Sequence, residues 1–180
     1  MKIFVVRHGQ TESNQKKLVM GNGIDEPLND LGINQAETIA TELGSQRFDI
    51  IFSSTLKRAL ETAEIIKKHL NTPIVVDARL VERDFGSLTG KNWNQIEKEF
   101  SKTAHDDDRA QRYDYTKFGG EIAEDVKGRL LAFLDFIKKE HGSKKVLIVA
   151  HGGIMKMLQH LYTEEAIFTP ENGTLQSFDV

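Results

Sequence analysis

Cysteine is missing from this 180-residue chain, which removes disulfides and thiolate chemistry and fits a reducing cytoplasm. No apolar run approaches the ~20 residues needed to cross a bilayer. The short apolar run behind Lys2 is also too brief for a signal-peptide core. An excess of positive charge is lacking too, since 24 Lys and Arg face 27 Asp and Glu for a net charge of −3. No whole-molecule field therefore draws nucleic acid, and any bound anion must be held by a local basic pocket. Linkers rich in Pro, Gly or Ser, repeats of solenoid period and a second core are all absent, so residues 1–180 read as one domain. What remains, 39% hydrophobic and 28% charged, is the composition of an ordinary globular chain. Folding at this length should bury roughly 70% of the unfolded surface.

Strand-like and helix-like patterns alternate along the chain, which predicts α/β architecture. Lys2–Val6, Asp49–Ser53, Ile74–Val76 and Lys145–Ala150 read as short buried strands, and Leu175–Val180 as a weaker final one. The twenty residues after Val6 read as loop. Asn29-Asp30 supplies capping side chains for a helix to Leu43, closed by Gly44. Thr55 is the expected cap of a helix running to Leu70. A short helix is expected at Trp93–Phe100, followed by an acidic, flexible-looking stretch, HDDDRAQRYDY. From Ala123 to Glu140, Val126, Leu130, Phe133, Leu134 and Ile137 recur at helical spacing. One more helix begins just after His151-Gly152-Gly153.

In open α/β sheets the carboxyl ends of the strands line the ligand crevice. Arg7-His8 ends the first strand and His151 ends the fourth. Arg58 lies one turn into the helix after the second strand, and Glu82 a few residues beyond the third. A lone histidine or arginine at such a place is usually a solvated or satisfied side chain. The set is different, because converging cations repel one another unless an anion is bound. Two guanidiniums suit a phosphoryl group through paired N–H···O bonds. Backbone N–H groups at Gly152 and the helix start add a further anion-binding element. One imidazole, kept neutral by the surrounding positive charge, can act as nucleophile while the other holds phosphoryl oxygens. Glu82 is placed to protonate the leaving oxygen and then to activate water. This arrangement requires no metal or other cofactor, and it leaves open which histidine is the nucleophile.

Five ordered blocks carry a resemblance over nearly the whole chain. They are RHGQTESN (Arg7–Asn14), PLNDLGINQA (Pro27–Ala36), SSTLKRALETA (Ser53–Ala63), LVERDFGSLTG (Leu80–Gly90) and VLIVAHGG (Val146–Gly153). Together they resemble the histidine phosphatase superfamily, also called phosphoglycerate mutase-like. The resemblance implies a three-layer α/β/α sandwich around a mostly parallel sheet, with a small lid or insertion at about 90–120. It also implies a phosphohistidine intermediate on His8. Arg7, Arg58 and His151 would bind phosphate, Asn14 would add a contact, and Glu82 would be the proton donor. The expected partner is a small phosphorylated substrate, with no nucleic acid or membrane partner; oligomeric state has no signature in the sequence.

Hydrolysis and mutase chemistry would use the same residues and differ in the acceptor of the phosphoryl group. A mutase needs extra basic groups over the pocket, whereas the basic residues between Gly90 and Gly120 are interleaved with Glu and Asp. A phosphatase is therefore favoured, although Arg83 in ERDFG and the following GSLTGKN look closer to the mutase pattern. A protein phosphohistidine phosphatase is a further alternative. A metal hydrolase using His8, His151 and Glu82 as ligands is disfavoured by Arg7 and Arg58, and a non-catalytic phosphate-binding module remains the other rival.

Overall fold

The computed structural model describes residues 1–44, 46–99, 102–164 and 167–180, with 97–99 and 102–105 as backbone only. The β-branched apolar runs form the strands β1 (Lys2–Arg7), β2 (Ile50–Ser53), β3 (Ile74–Val76), β4 (Val146–Ala150) and β5 (Leu175–Asp179). They assemble in the order β3-β2-β4-β1-β5. The first four are mutually parallel, and β5 closes the β1 edge antiparallel. The central β4 is buried along its whole length, which explains its unbroken apolar sequence VLIVA.

Alternation along the strands separates two cores. Ile3, Val5, Phe52, Val146 and Ile148 face one side. There they meet Val126, Leu130, Phe133, Leu134 and Ile137 of α6 (Ala123–His141) and Ile154, Met155 and Leu158 of α7 (Gly152–Tyr162). Val6, Ile51, Leu147 and Val149 face the other side. They pack on Ile39, Ala40 and Leu43 of α2 (Asp30–Leu43) and on Ala59, Ala63 and Ile66 of α3 (Lys57–Leu70). The result is the expected three-layer α/β/α sandwich. No helix among the described residues is long and apolar enough to cross a membrane.

The expected helices form, with informative differences at their ends. Asn29 caps α2 by accepting the Gly32 N–H at 2.9 Å. The cap expected at Thr55 is not made: the N-cap residue is Leu56, and the Lys57 N–H donates instead to Asp25 Oδ1 at 2.7 Å. A carboxylate from the preceding loop thus does what a local hydroxyl was expected to do. That loop also holds a short helix, α1 (Glu12–Gln15), closed by a capping box between Thr11 and Asn14. The helix α4 spans Trp93–Glu99, and Phe100, its expected last residue, lies outside the described residues. HDDDR is helical rather than irregular, at the end of α5 (Lys102–Arg109). Periodicity could not show this, because the segment is organised by Asp108 pairing with distant cations.

The chain leaves β1 toward α2 on one face and leaves β4 toward α7 on the other. Because β1 and β4 are neighbours, their diverging exits open a crevice at their carboxyl ends. The two His-Gly pairs sit there.

Candidate active site

Parallel register sets Arg7 opposite Ala150, and the His8 N–H donates to the Ala150 carbonyl at 3.0 Å. His8 and His151 therefore leave the sheet side by side, with ring centroids 5.1 Å apart and planes tilted by 59°. The loop after His8 turns tightly against the start of α2. A Cβ on Gly9 would collide with the Gly32 backbone, so both glycines are needed for that approach.

The hydrogen bonds of His8 assign its tautomer. Its Nδ1 lies 2.7 Å from the Gly9 carbonyl, which can only accept, so Nδ1 carries the proton. Its Nε2 receives the Arg58 Nε–H at 3.2 Å, so Nε2 holds a lone pair. Burial, then the charges of Arg58 and Arg7, push the imidazole well below its ordinary pKa of 6.5, outweighing the Gly9 bond that opposes them. His8 is thus a neutral imidazole whose unprotonated Nε2 accepts a hydrogen bond from a cation.

Arg58 is completely buried, and each of its three nitrogens donates one hydrogen bond. Beside His8, its Nη1 donates to the Ile24 carbonyl and its Nη2 to the Gly21 carbonyl, both at 2.7 Å. Burial lowers its pKa to about 10, against the pull of Glu82, and it stays charged at neutral pH. Arg7 donates through Nη1 to the Pro170 carbonyl, while its buried Nε has no partner among the described residues. Burial lowers its pKa as well, opposed by Glu82. An orphaned guanidinium donor beside a lone-pair imidazole is a site built for an anion.

His151 is fully buried, and its Nε2 lies 2.7 Å from Ser54 Oγ. That hydroxyl oxygen also accepts the Leu56 N–H at 3.4 Å. His151 Nδ1 is buried without a partner among the described residues. Burial, Arg58 and His8 push this imidazole well below its ordinary pKa too.

Glu82 sits at the start of α7. Its Oε2 accepts the Gly153 N–H and its Oε1 the Arg83 N–H, each at 2.9 Å. The helix-start N–H expected to help bind an anion is therefore partly used to hold the acid. Asn14 Oδ1 accepts from the Thr11 N–H and from Asn172 Nδ2, both at 3.2 Å. This orients the Asn14 amide toward Met20 Sδ at 3.3 Å, a weak acceptor.

Arg7, His8, Asn14, Arg58, Glu82 and Gly152 line one cavity of about 320 Å³. His151 is the exception: it stands behind His8 rather than in the cavity wall. The metal-ligand reading fits poorly, because the charges of Arg58 and Arg7 bear directly on His8, and no cluster of three or more His, Asp or Glu side chains suited to an ion occurs among the described residues.

The sequence profile of the histidine phosphatase superfamily, branch 1, matches residues 3–173. The chain belongs to the histidine phosphatase superfamily. It is 38% identical over 139 residues to the fructose-2,6-bisphosphatase TIGAR of Xenopus tropicalis, covering 75% of this chain and 49% of that protein. The chain thus spans about half the length of that relative. To a metal-independent phosphoserine phosphatase of Arabidopsis thaliana it is 33% identical over 159 residues, covering 87% of this chain and 66% of the other. Its fold matches mycobacterial glucosyl-3-phosphoglycerate phosphatase, solved in complex with VO3, with a TM-score of 0.86 at 25% identity, over 98% of this chain and 90% of that one.

Sequence reasoning on this chain missed several residues around the site. Ser54, inside SSTLKRALETA, pairs with His151 Nε2 at 2.7 Å and so orients the ring. Asn172 reaches back to the His8 carbonyl at 3.1 Å and orients Asn14. Asp108 and Lys156 line the cavity beside Arg83. Asp108 belonged to an acidic run and Lys156 to an apolar helix, and neither pattern marks a pocket.

Proposed function

We propose that this chain hydrolyses small phosphomonoesters without a metal, through a phosphohistidine on His8. The observation that carries this is the His8 tautomer, a neutral imidazole whose Nε2 lone pair is ringed by Arg7 and Arg58.

In the first step the Nε2–P bond forms as the ester P–O bond breaks, and Glu82 gives its proton to the leaving oxygen. In the second step the Glu82 carboxylate takes a proton from water as the water oxygen attacks phosphorus. The N–P bond breaks and its electron pair returns to Nε2. Arg7 Nε, Arg58, the Asn14 amide and the Gly152 backbone bind the phosphoryl oxygens. In this reading His151 acts beside His8, its ring centroid 5.1 Å away, rather than from the cavity wall. Phosphoryl transfer depends mainly on such positioning and charge stabilisation.

A cavity of about 320 Å³ suits a metabolite-sized ligand. The names of the relatives, a fructose-2,6-bisphosphatase, a metal-independent phosphoserine phosphatase and a glucosyl-3-phosphoglycerate phosphatase, support a phosphomonoester of metabolite size, and the charge of its leaving group is not carried over from them. The segment at about 90–120 serves as lid of this single catalytic domain, contributing Trp93 and Asp108 to the wall. That wall favours small molecules over a phosphorylated protein loop. The mutase reading rests on Arg83, whose guanidinium is already engaged by Asp108. A cytoplasmic location, in keeping with the cysteine-free composition, belongs to the same proposal.

The test is turnover of p-nitrophenyl phosphate in a chelator by wild type and His8→Ala. Activity should survive the chelator and fall at least ~10³-fold in the variant, with radiolabel from substrate trapped on wild type alone. Chelator-sensitive turnover, or a fully active variant, overturns the reading.

A further inference from the structure

One wall of the cavity carries two buried cations that the reaction above does not use. Arg83 lies over the faces of Phe85, Tyr113 and Tyr115, with its guanidinium carbon 4.7, 4.5 and 5.7 Å from their centroids. Lys156 stands one turn into α7, close to Gly152 and Gly153, and is also buried. Between them lies Asp108, from the end of α5. Its Oδ1 accepts Arg83 Nη1 at 2.5 Å and Tyr115 Oη–H at 3.1 Å, and its Oδ2 accepts Lys156 Nζ at 2.6 Å. All three charged groups line the same cavity as His8 and Glu82. Arg83 Nε is buried without a partner among the described residues.

Two desolvated cations need an anion between them. A carboxylate or phosphate on a substrate's leaving group would meet that need as well as a side chain does. Here the lid itself supplies the anion. We propose that Asp108 fills a second anion subsite made by Arg83 and Lys156, and so restricts this enzyme to phosphomonoesters whose leaving group carries no negative charge. The tethered carboxylate sits on the donors that a second anionic group would use and repels such a group. Discrimination by unfavourable charge placement is a general route to specificity. The inference rests on the phosphatase reading and deepens it by naming the substrate class.

Glycerol 3-phosphate and 3-phosphoglycerate test it, because they differ by a carboxylate in place of a hydroxymethyl group. Wild type should favour glycerol 3-phosphate. Asp108→Asn should raise the ratio of kcat/KM for 3-phosphoglycerate over glycerol 3-phosphate at least ~10-fold. Adding Lys156→Met should remove that gain. A ratio unchanged in Asp108→Asn, with both substrates falling together, makes Asp108 only a strut for the lid and overturns the inference. Asp108→Ser, which keeps an acceptor oxygen, is the second variant should the amide prevent folding. The same comparison is read by calorimetric titration of both compounds into a His8→Ala background. Asp108→Asn should tighten 3-phosphoglycerate alone, and equal or absent tightening overturns the inference. This arm needs no turnover, so absence of chelator-resistant hydrolysis by wild type would count against the phosphatase reading while the binding result still decides the role of Asp108.

Discussion

Gly153→Ala is the most direct probe of how the fold places the acid. A Cβ at this position would fall inside the contact radius of Glu82 Oε1 and only 3.0 Å from its Cδ. Comfortable carbon contact is about 3.5–4.0 Å, so the carboxyl must retreat by roughly 0.5–1 Å. It would also strain or lose the bond from the Gly153 N–H, 2.9 Å long in the native structure. A misplacement of about 1 Å costs on the order of 10²-fold in rate when the displaced group takes part in the chemistry. The loss should depend on the leaving group, because nitrophenolate departs without a proton and a sugar alcohol does not. The expectation for Gly153→Ala is about 10²-fold lower kcat/KM on glycerol 3-phosphate and under about 10-fold on p-nitrophenyl phosphate. Stability should change little, since alanine favours the first turn of α7 by up to ~1 kcal/mol and offsets part of the strain. The assay is paired kinetics on the two substrates together with a melting curve. Equal losses on both, or none on either, would show that Glu82 does not act as the acid from this position.

Three further outcomes follow from the same geometry. His8 and His151 both have folded-state pKa values pushed below 6.5, so the unfolded chain binds more protons at acid pH. Their stabilising contribution is full above about pH 6.5 and falls by about 1.4 kcal/mol per pH unit per histidine below it, until the folded pKa is reached. Replacing His151 with Gln should shallow the slope of unfolding free energy against pH between 6.5 and 5, measured by urea titration; an unchanged slope would mean that His151 is already charged in the fold. Ser54→Ala removes the hydroxyl paired with buried His151 Nε2; kcat should fall about 10-fold and stability by about 1–3 kcal/mol, because a buried polar group loses its partner; undiminished kcat would make that bond irrelevant. Arg58→Lys cannot reproduce three directed N–H bonds to His8, Gly21 and Ile24, and kcat/KM should drop at least ~10²-fold. Near-native kinetics for this variant would show that an ammonium suffices.

Much of the site was legible because its residues sit at positions that strand-end geometry makes special. Arg7, His8 and His151 follow apolar runs whose length and branching identify them as strands. Arg58 and Glu82 lie at fixed offsets beyond two others. The stretch HDDDR was read as flexible because a charge-rich helix has no apolar period, and α5 is held by Asp108 reaching Arg83 and Lys156, 25 and 48 positions away. The Thr55 cap failed for the same kind of reason, since Asp25, 32 positions before Lys57, supplied the acceptor.

Local sequence, then, determined the strands, the helices with apolar faces, and the kinds of side chain delivered to the β1 and β4 edge. These depend on period, burial and residue type, which a linear pattern carries. Tertiary structure alone decided that His8 Nε2 meets the Arg58 Nε–H while His151 Nε2 meets the Ser54 hydroxyl, that Glu82 is seated by the Gly153 N–H, and that Asp108 lies between two cations in the wall. Each of those depends on which donor meets which acceptor across dozens of residues, and hydrogen-bond direction is set only when both partners are in place.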